Sequence, residues 1–439
     1  MSAPNVIVIC CDDLGYGDLG CYGAEYETPN IDALAADGVR CTDWHGTAPV
    51  CSPSRASLLT GRYPANAGVR DNVGPDLDMS GLPSDQATIP SVLAEAGYRT
   101  GAFGKWHLGG AADTRPGAHG FEEFLGHIAG CVDYYSHVFY YPMAFDAGDP
   151  THDLWDGTEE VWHDGEYMTE LITDRATEFI ESHADEQFFT FVPYNAPHYP
   201  CHVPMEYKQR FEHLDDDRQI TAAMIAAVDD GVGRIMDTLD RTGQTEDTMV
   251  VFTSDHGPPR NSRNDLSGSG EPFYGGSSGP FRGHKKSLFE GGIRVPAIIR
   301  HPGVFEGGTE YDGLASHIDL LPTIADCCDV TIPDGLDGES LLTPIRTDAE
   351  PHRTLYWERD DWERCQLAIR DGDWKLTING RDIESDPEEV HLSHMARDRG
   401  ESTNRADAEP ERVANLADEL VRWYENATDD ASPEAANVN

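Results

Sequence analysis

Residues 51–62 read Cys-Ser-Pro-Ser-Arg-Ala-Ser-Leu-Leu-Thr-Gly-Arg, an order that predicts a short helix with a charged N-terminal end. Pro53 suits a first helical turn, Leu58 and Leu59 can face a core, and Gly61 can end the helix. Cys51 then stands at the helix N-terminus, where free N–H groups and the macrodipole favour an anion. One turn on, Arg55 brings a permanent cation whose forked donors suit sulfate or phosphate. A buried structural cysteine ahead of a short helix is the plainer reading of the same residues.

Outward from this stretch, short apolar runs alternate with helical patterns, which predicts an α/β fold with a largely parallel sheet. Val6–Cys11 reads as a fully buried strand, and Tyr98–Phe103, Phe188–Pro193 and Met249–Ser254 as further core strands. Helices are expected at Asn30–Asp37 and Pro90–Ala96. A stronger one is carried by Ile220, Met224, Val228, Val232, Ile235 and Leu239, which keep one apolar face at spacings of three and four. Residues 257–284 are rich in Gly, Ser and Pro, and predict a long substrate-facing loop. Beyond a polar boundary near 345–353, Thr354–Glu358, Cys365–Arg370 and Trp374–Ile378 read as a small antiparallel sheet and Val413–Tyr424 as a helix. The expected organisation is a catalytic domain at 1–348, a small α+β subdomain at 349–426 and a disordered tail at 427–439.

Chemistry-bearing residues gather at the expected strand ends. Asp12 and Asp13 close the first strand; adjacent carboxylates repel unless a cation lies between them, and ligands collect at such ends of a parallel sheet. Asp255 and His256 repeat the theme after Met249–Ser254, so three carboxylates and one further ligand could hold a hard divalent cation. In Gly104-Lys105-Trp106-His107, a strand-like geometry would put Lys105 and His107 on one face, pairing an oxyanion clamp with an imidazole. In Asn195-Ala196-Pro197-His198-Tyr199-Pro200, two prolines stiffen the loop that carries His198. Lys285 and Lys286 precede Phe289-Glu290-Gly291-Gly292-Ile293-Arg294, where Glu290 and Arg294 are read as a structural pair bracing a turn. His119, His127, His137 and His152 have no motif around them and are read as surface or loop residues.

The 51–62 stretch resembles the sulfatase signature Cys-x-Pro-x-Arg followed by Leu-Thr-Gly-Arg, and the other segments follow in that family's order. The resemblance implies the alkaline-phosphatase superfamily fold: a large mixed sheet between helices, with a small C-terminal sheet domain and one helix. It implies that a maturation enzyme oxidises Cys51 to Cα-formylglycine, whose hydrate attacks the sulfur of a sulfate ester. It places Ca²⁺, or less often Mg²⁺, on Asp12, Asp13, Asp255, His256 and position 51. His256 is the weakest ligand of this set, because many relatives carry Asn there and imidazole suits Ca²⁺ less well than oxygen does; the alternative is that it points at the sulfate. Arg55 would hold the hydrate, Lys105 and Lys285 the sulfuryl oxygens, His198 would protonate the leaving alcohol, and His107 would take a proton from the second hydroxyl. The family's spacing selects Lys285 over Lys286. A phosphonate monoester or phosphodiester hydrolase with the same site is the alternative activity. A sulfated-ligand-binding protein with unconverted Cys51 is the alternative class. The substrate is expected to be a small-molecule or saccharide sulfate ester, its identity set by loops 64–88, 130–165 and 257–284.

Composition bounds the partners. With 32 Lys+Arg against 79 Asp+Glu the net charge is −47, a surface that repels nucleic acid and anionic membranes and excludes both. The acids spread over the whole length, as on a halophile protein whose self-repulsion is screened by salt. Met1–Asn5 lacks a basic, cleavable leader, and ten scattered Cys include no Cys-x-x-Cys. The expectation is a cytoplasmic protein with reduced thiols.

Overall fold

Val6-Ile7-Val8-Ile9-Cys10-Cys11 offers no polar side chain to either face of a sheet, so the strand needs cover on both sides. Asn5–Asp12 is accordingly buried throughout, at the centre of a ten-stranded sheet. The computed structural model describes residues 3–73, 81–140, 149–260, 273–349, 353–360, 365–382 and 385–429. In it, Asn5–Asp12 pairs in parallel with Phe188–Pro197 on one side and Thr248–Ser254 on the other. Arg99–Lys105 and Glu123–His127 extend the parallel run. Ala297–Arg300 lies antiparallel between Thr248–Ser254 and Val39–Cys41, and Thr309–Tyr311 forms that edge. Trp155–Asp156 and Glu159–Glu160 turn back antiparallel at the other edge. The sheet is mixed, parallel at its centre, as the alternating pattern implies.

The central strand feeds two cores because its side chains alternate. Ile7, Ile9 and Cys11 join Ile172 from helix Met168–Ser182 and Val228 from helix Asp216–Thr242. Val6, Val8 and Cys10 join Leu58 and Leu59 from helix Cys51–Thr60 and Leu93 from helix Ile89–Glu95. Of the periodic face foreseen in the long helix, Met224, Val228, Val232, Ile235 and Leu239 are buried, and Ile220 is half-buried at its start.

The small sheet has four strands, Thr354–Arg359, Gln366–Asp371, Trp374–Asp382 and Ser385–His394, in sequence order. The fourth was not foreseen: Ser385-Asp386-Pro387-Glu388-Glu389 is charged and carries a proline, a composition poor for a strand. Helix Pro410–Asp429 covers this sheet through Leu416 and Leu420, against Ile369, Leu376 and Leu392. It runs to Asp429, into the segment expected as tail, and 430–439 lie outside the described residues. Of the long loop expected at 257–284, residues 261–272 also lie outside them. No helix among the described residues is long and apolar enough to cross a membrane.

Candidate active site

Because the central strands run parallel, their C-terminal ends open on one edge and deliver the site's residues together. Asp12 ends the first strand, and Asp13 turns out of it with a left-handed φ of 70°. Asp255 and His256 follow Thr248–Ser254, Lys105 ends Arg99–Lys105, and His198 follows Phe188–Pro197. Cys51 is the first residue of its helix, with Val50 as the extended N-cap. Gly61 closes that helix at φ 68°, a conformation that favours glycine.

Cys51 is the point of convergence. Its Sγ lies 3.4 Å from Asp12 Oδ1, 3.2 Å from His256 Nε2 and 3.6 Å from Lys285 Nζ. Lys105 donates from Nζ to Asp12 Oδ2, and Lys285 donates to Asp13 Oδ1 at 2.7 Å. Arg55 is wholly buried; its Nε donates to Asp255 Oδ2 at 3.0 Å and its Nη1 to the Lys105 carbonyl at 3.0 Å. Its Nη2 has no hydrogen-bond partner. His198 holds the Tyr199 carbonyl through Nδ1 at 2.6 Å, leaving Nε2 toward Asp13 Oδ2 at 3.7 Å.

Two expectations need correction. Lys105 and His107 do not share a strand face: the strand ends at Lys105, and His107 takes a left-handed φ of 56° in the following turn. Nor are His119 and His127 surface or loop residues: both are buried, His119 ending a short 3-10 helix and His127 a strand. His137 is a loop residue as read, but a buried one, and His152 lies in a short strand and stacks on the Trp162 ring at 3.7 Å. His127 sits opposite Lys105 in the sheet register and anchors Nδ1 on the Ala129 carbonyl at 2.9 Å.

The charges hold one another in place. Burial alone would raise Asp12, but Lys105, His198 and Arg55 hold it well below the usual carboxylate range. Burial would likewise lower Lys285, yet Asp13 and position 51 keep it well above the ordinary lysine value. His107 is pushed far below the ordinary histidine value by burial, then by Lys105 and Arg55, and is neutral. Burial lowers His198 as well, against the pull of Asp12 and Asp13. His256 goes the other way: burial opposes, but Asp255 and Cys51 raise it to about 9.

Asp12, Cys51, Asp255 and His256 each turn one donor atom inward, all within 4.8 Å of one another, and Asp13 Oδ2 is buried without a hydrogen-bond partner. His256 anchors Nδ1 on the Gly257 carbonyl at 3.0 Å, so its Nε2 is the nitrogen in this cage. A divalent cation fits: it would replace the proton on His256 and relieve the carboxylates.

Residues without motif complete the frame. Asn72 Oδ1 accepts from Ser52 N at 3.0 Å, and Ser52 Oγ accepts from Val73 N at 3.0 Å, which fixes the start of the Cys51 helix. Gln366, from the small sheet, donates to the Lys286 carbonyl at 3.1 Å beside Lys285. These contacts join distant loops, and no local pattern announces them.

Residues 4–330 match the family model described as "Sulfatase", and residues 279–424 match "N-sulphoglucosamine sulphohydrolase, C-terminal". The chain is 34% identical over 403 residues to arylsulfatase A of Homo sapiens, an alignment covering 85% of this chain and 74% of that protein. It is 33% identical over 354 residues to arylsulfatase J of Mus musculus, covering 78% of this chain but 56% of that longer protein. The solved structure of Ps i-CgsB in complex with k-i-k-neocarrahexaose superposes with a TM-score of 0.85 at 30% identity, over 96% of this chain and 93% of that one. The fold, the convergent site and these similarities agree that the chain belongs to the sulfatase family of sulfate-ester hydrolases.

Proposed function

We propose that the protein cleaves the S–O bond of a sulfate ester at a nucleophile made from Cys51. The observation that carries this reading is the placement of Cys51 Sγ at a helix N-terminus, within 3.6 Å of Asp12, His256 and Lys285. Oxidised to formylglycine and hydrated, residue 51 supplies the attacking hydroxyl, and a divalent cation on Asp12, Asp13, Asp255, His256 and position 51 supplies charge neutralisation. Ca²⁺ is the cation proposed, with Mg²⁺ as the alternative.

The chain's own residues do the rest. Lys105 and Lys285 present fixed positive charge to the sulfuryl oxygens in a buried setting where it counts for more than in water. Arg55 keeps Asp255 turned into the cage and has Nη2 left for a bound oxygen. His198 is oriented by its Nδ1 contact, so Nε2 delivers the proton to the leaving alcohol. Neutral His107 accepts a proton from position 51 in the step that releases sulfate.

A formylglycine-generating enzyme is the maturation partner this reading requires. The substrate is proposed as a small-molecule or saccharide sulfate ester, the latter supported by the oligosaccharide held by Ps i-CgsB. Ten scattered cysteines without a Cys-x-x-Cys support a reducing compartment, and the charge of −47 supports work in high salt; the cytoplasm of a halophile is the proposed setting.

Peptide mass spectrometry with aldehyde labelling of protein from its own host tests the nucleophile, the converted residue being about 18 Da lighter than Cys. Turnover of an aryl sulfate should then vanish in Cys51→Ala. Full activity in that variant would end this reading, and faster turnover of an aryl phosphonate or diester would move it to the alternative activity.

A further inference from the structure

Among the described residues, those packed as a wall between His107 and His198 have uncharged side chains. Gly130 backs onto His107, where an added Cβ would lie 2.8 Å from both Cε1 and Nε2 of the imidazole. On from Gly130, Cys131, Val132 and Phe139 form a small apolar cluster with Ala129, and Tyr199 packs against it from the opposite loop. The Tyr199 ring also stacks on the His198 ring, with centroids 4.5 Å apart and planes at 27°. Around these groups Gly130 and Tyr199 are half-buried, whereas both histidines, Cys131, Val132 and Phe139 are buried. Among the described residues of this wall, Gly130 and Tyr199 are the ones that keep partial exposure to solvent.

An alcohol that takes its proton from His198 has its carbon skeleton beside Tyr199. Further along the same two loops, Tyr135 packs near His202 at 6.4 Å and lines a pocket of about 400 Å³ with Glu166, Glu170, Asp174 and Glu206. Those carboxylates repel any second sulfate that reaches them. We propose that Tyr199 sets specificity on the leaving-group side, selecting a singly sulfated ester whose alcohol presents a flat uncharged face over a polysulfated one. That face is an aryl ring or the C–H face of a pyranose, which share the chemistry of stacking.

This proposal rests on the sulfatase reading, and one experiment separates the two. Converted full-length protein, as wild type, Tyr199→Phe and Tyr199→Leu, is assayed on an aryl sulfate, a monosulfated hexose, a 2-N,6-O-disulfated glucosamine and a short alkyl sulfate. Leu keeps an apolar side chain against the cluster and removes the flat face together with the hydroxyl that meets Cys131, and Phe removes the hydroxyl alone. Tyr199→Leu should lose about tenfold in kcat/KM on the aryl or the hexose ester, mostly in KM, with the alkyl sulfate changed less than about threefold. Tyr199→Phe, which keeps the ring, should keep the wild-type order of preference among the four esters, and whichever of the aryl and hexose esters suffers in Tyr199→Leu identifies the face. Equal losses on all esters would reduce Tyr199 to a support for His198 and overturn the proposal. So would a wild-type preference for the disulfated sugar. Turnover of none of the four by wild type would defeat the sulfatase reading itself and the proposal with it.

Discussion

Among the described residues, two buried ionic clusters each contain a set of residues able to hold a cation: Asp12, Cys51, Asp255 and His256 in one, Asp43, His45 and Glu290 in the other. The second cluster is nearly closed: among its side-chain atoms only Glu401 Oε1 lacks a hydrogen bond, and Lys375 Nζ lies 3.1 Å from it. Arg370 grips Asp43 with two hydrogen bonds of 2.7 and 2.6 Å, and Arg294 binds Glu290 at 3.0 Å and Asp43 at 3.1 Å. Lys375 bridges Glu290 at 2.9 Å and Glu401 at 3.1 Å, and His45 lies 3.1 Å from Glu290. The first cluster is open: Asp13 Oδ2, Arg55 Nη2 and His107 Nδ1 are buried with no hydrogen-bond partner. Buried polar groups are normally satisfied, so these three atoms leave the first cluster with unused bonding capacity that a ligand can take up, against a single such atom in the second. The closed cluster instead ties the small sheet to the large domain. Similar residue types thus serve binding in one place and cohesion in the other, and partnering tells them apart.

The comparison breaks if the two clusters respond alike to loss of a lysine. Lys105→Met should lower kcat on a sulfate ester by about a thousandfold, on the order of 4 kcal/mol of transition-state stabilisation. Metal-loaded protein should unfold within about 1 kcal/mol of wild type, because the cation still balances Asp12. Lys375→Met should do the reverse. It leaves Glu290 and Glu401 buried without their shared cation and should cost about 3 kcal/mol in urea unfolding, with kcat of the folded fraction unchanged. Equal stability losses in both variants, or a collapse of kcat in Lys375→Met, would erase the distinction.

The sequence carried the open cluster better than the closed one, for a physical reason. Asp12, Asp13, Asp255, His256 and Lys105 sit where apolar runs stop, and a parallel sheet brings such ends together whatever the loops do. Glu290 and Arg294 read as a structural pair because both stand beside two glycines, and they are the local half of the closed cluster. Its distant half, Asp43, Arg370, Lys375 and Glu401, depends on how the small sheet docks, which no periodicity encodes. The same holds for Asn72 and Gln366 at the site. His107 was misread through its backbone: two-residue spacing suggests a shared face only while the strand lasts, and it ends at Lys105. Ser385–His394 was missed because pairing with Trp374–Asp382, not side-chain preference, makes it a strand.

The smallest effect sharpens the comparison through pH. Burial, then Glu290 alongside, raises Glu401 to about 7, with Lys375 pulling the other way. Its folded value therefore stands above the unfolded value of 4.5, and between the two the folded state binds more protons. The contribution of this carboxyl to stability is complete below pH 4.5 and lost as the pH rises through about 7. Glu401→Gln is neutral at every pH, so its stability relative to wild type should improve between pH 5 and pH 8, by on the order of 2 kcal/mol. Urea unfolding of both proteins at the two pH values and constant salt measures this, since every other titration common to the pair cancels in the difference. Activity should not follow, because Glu401 meets Lys375 and the Glu290 backbone and no group around Cys51. A flat difference across the pH range would mean that Glu401 is ionised in the folded protein, and that the closed cluster carries its full negative charge at both ends of the range.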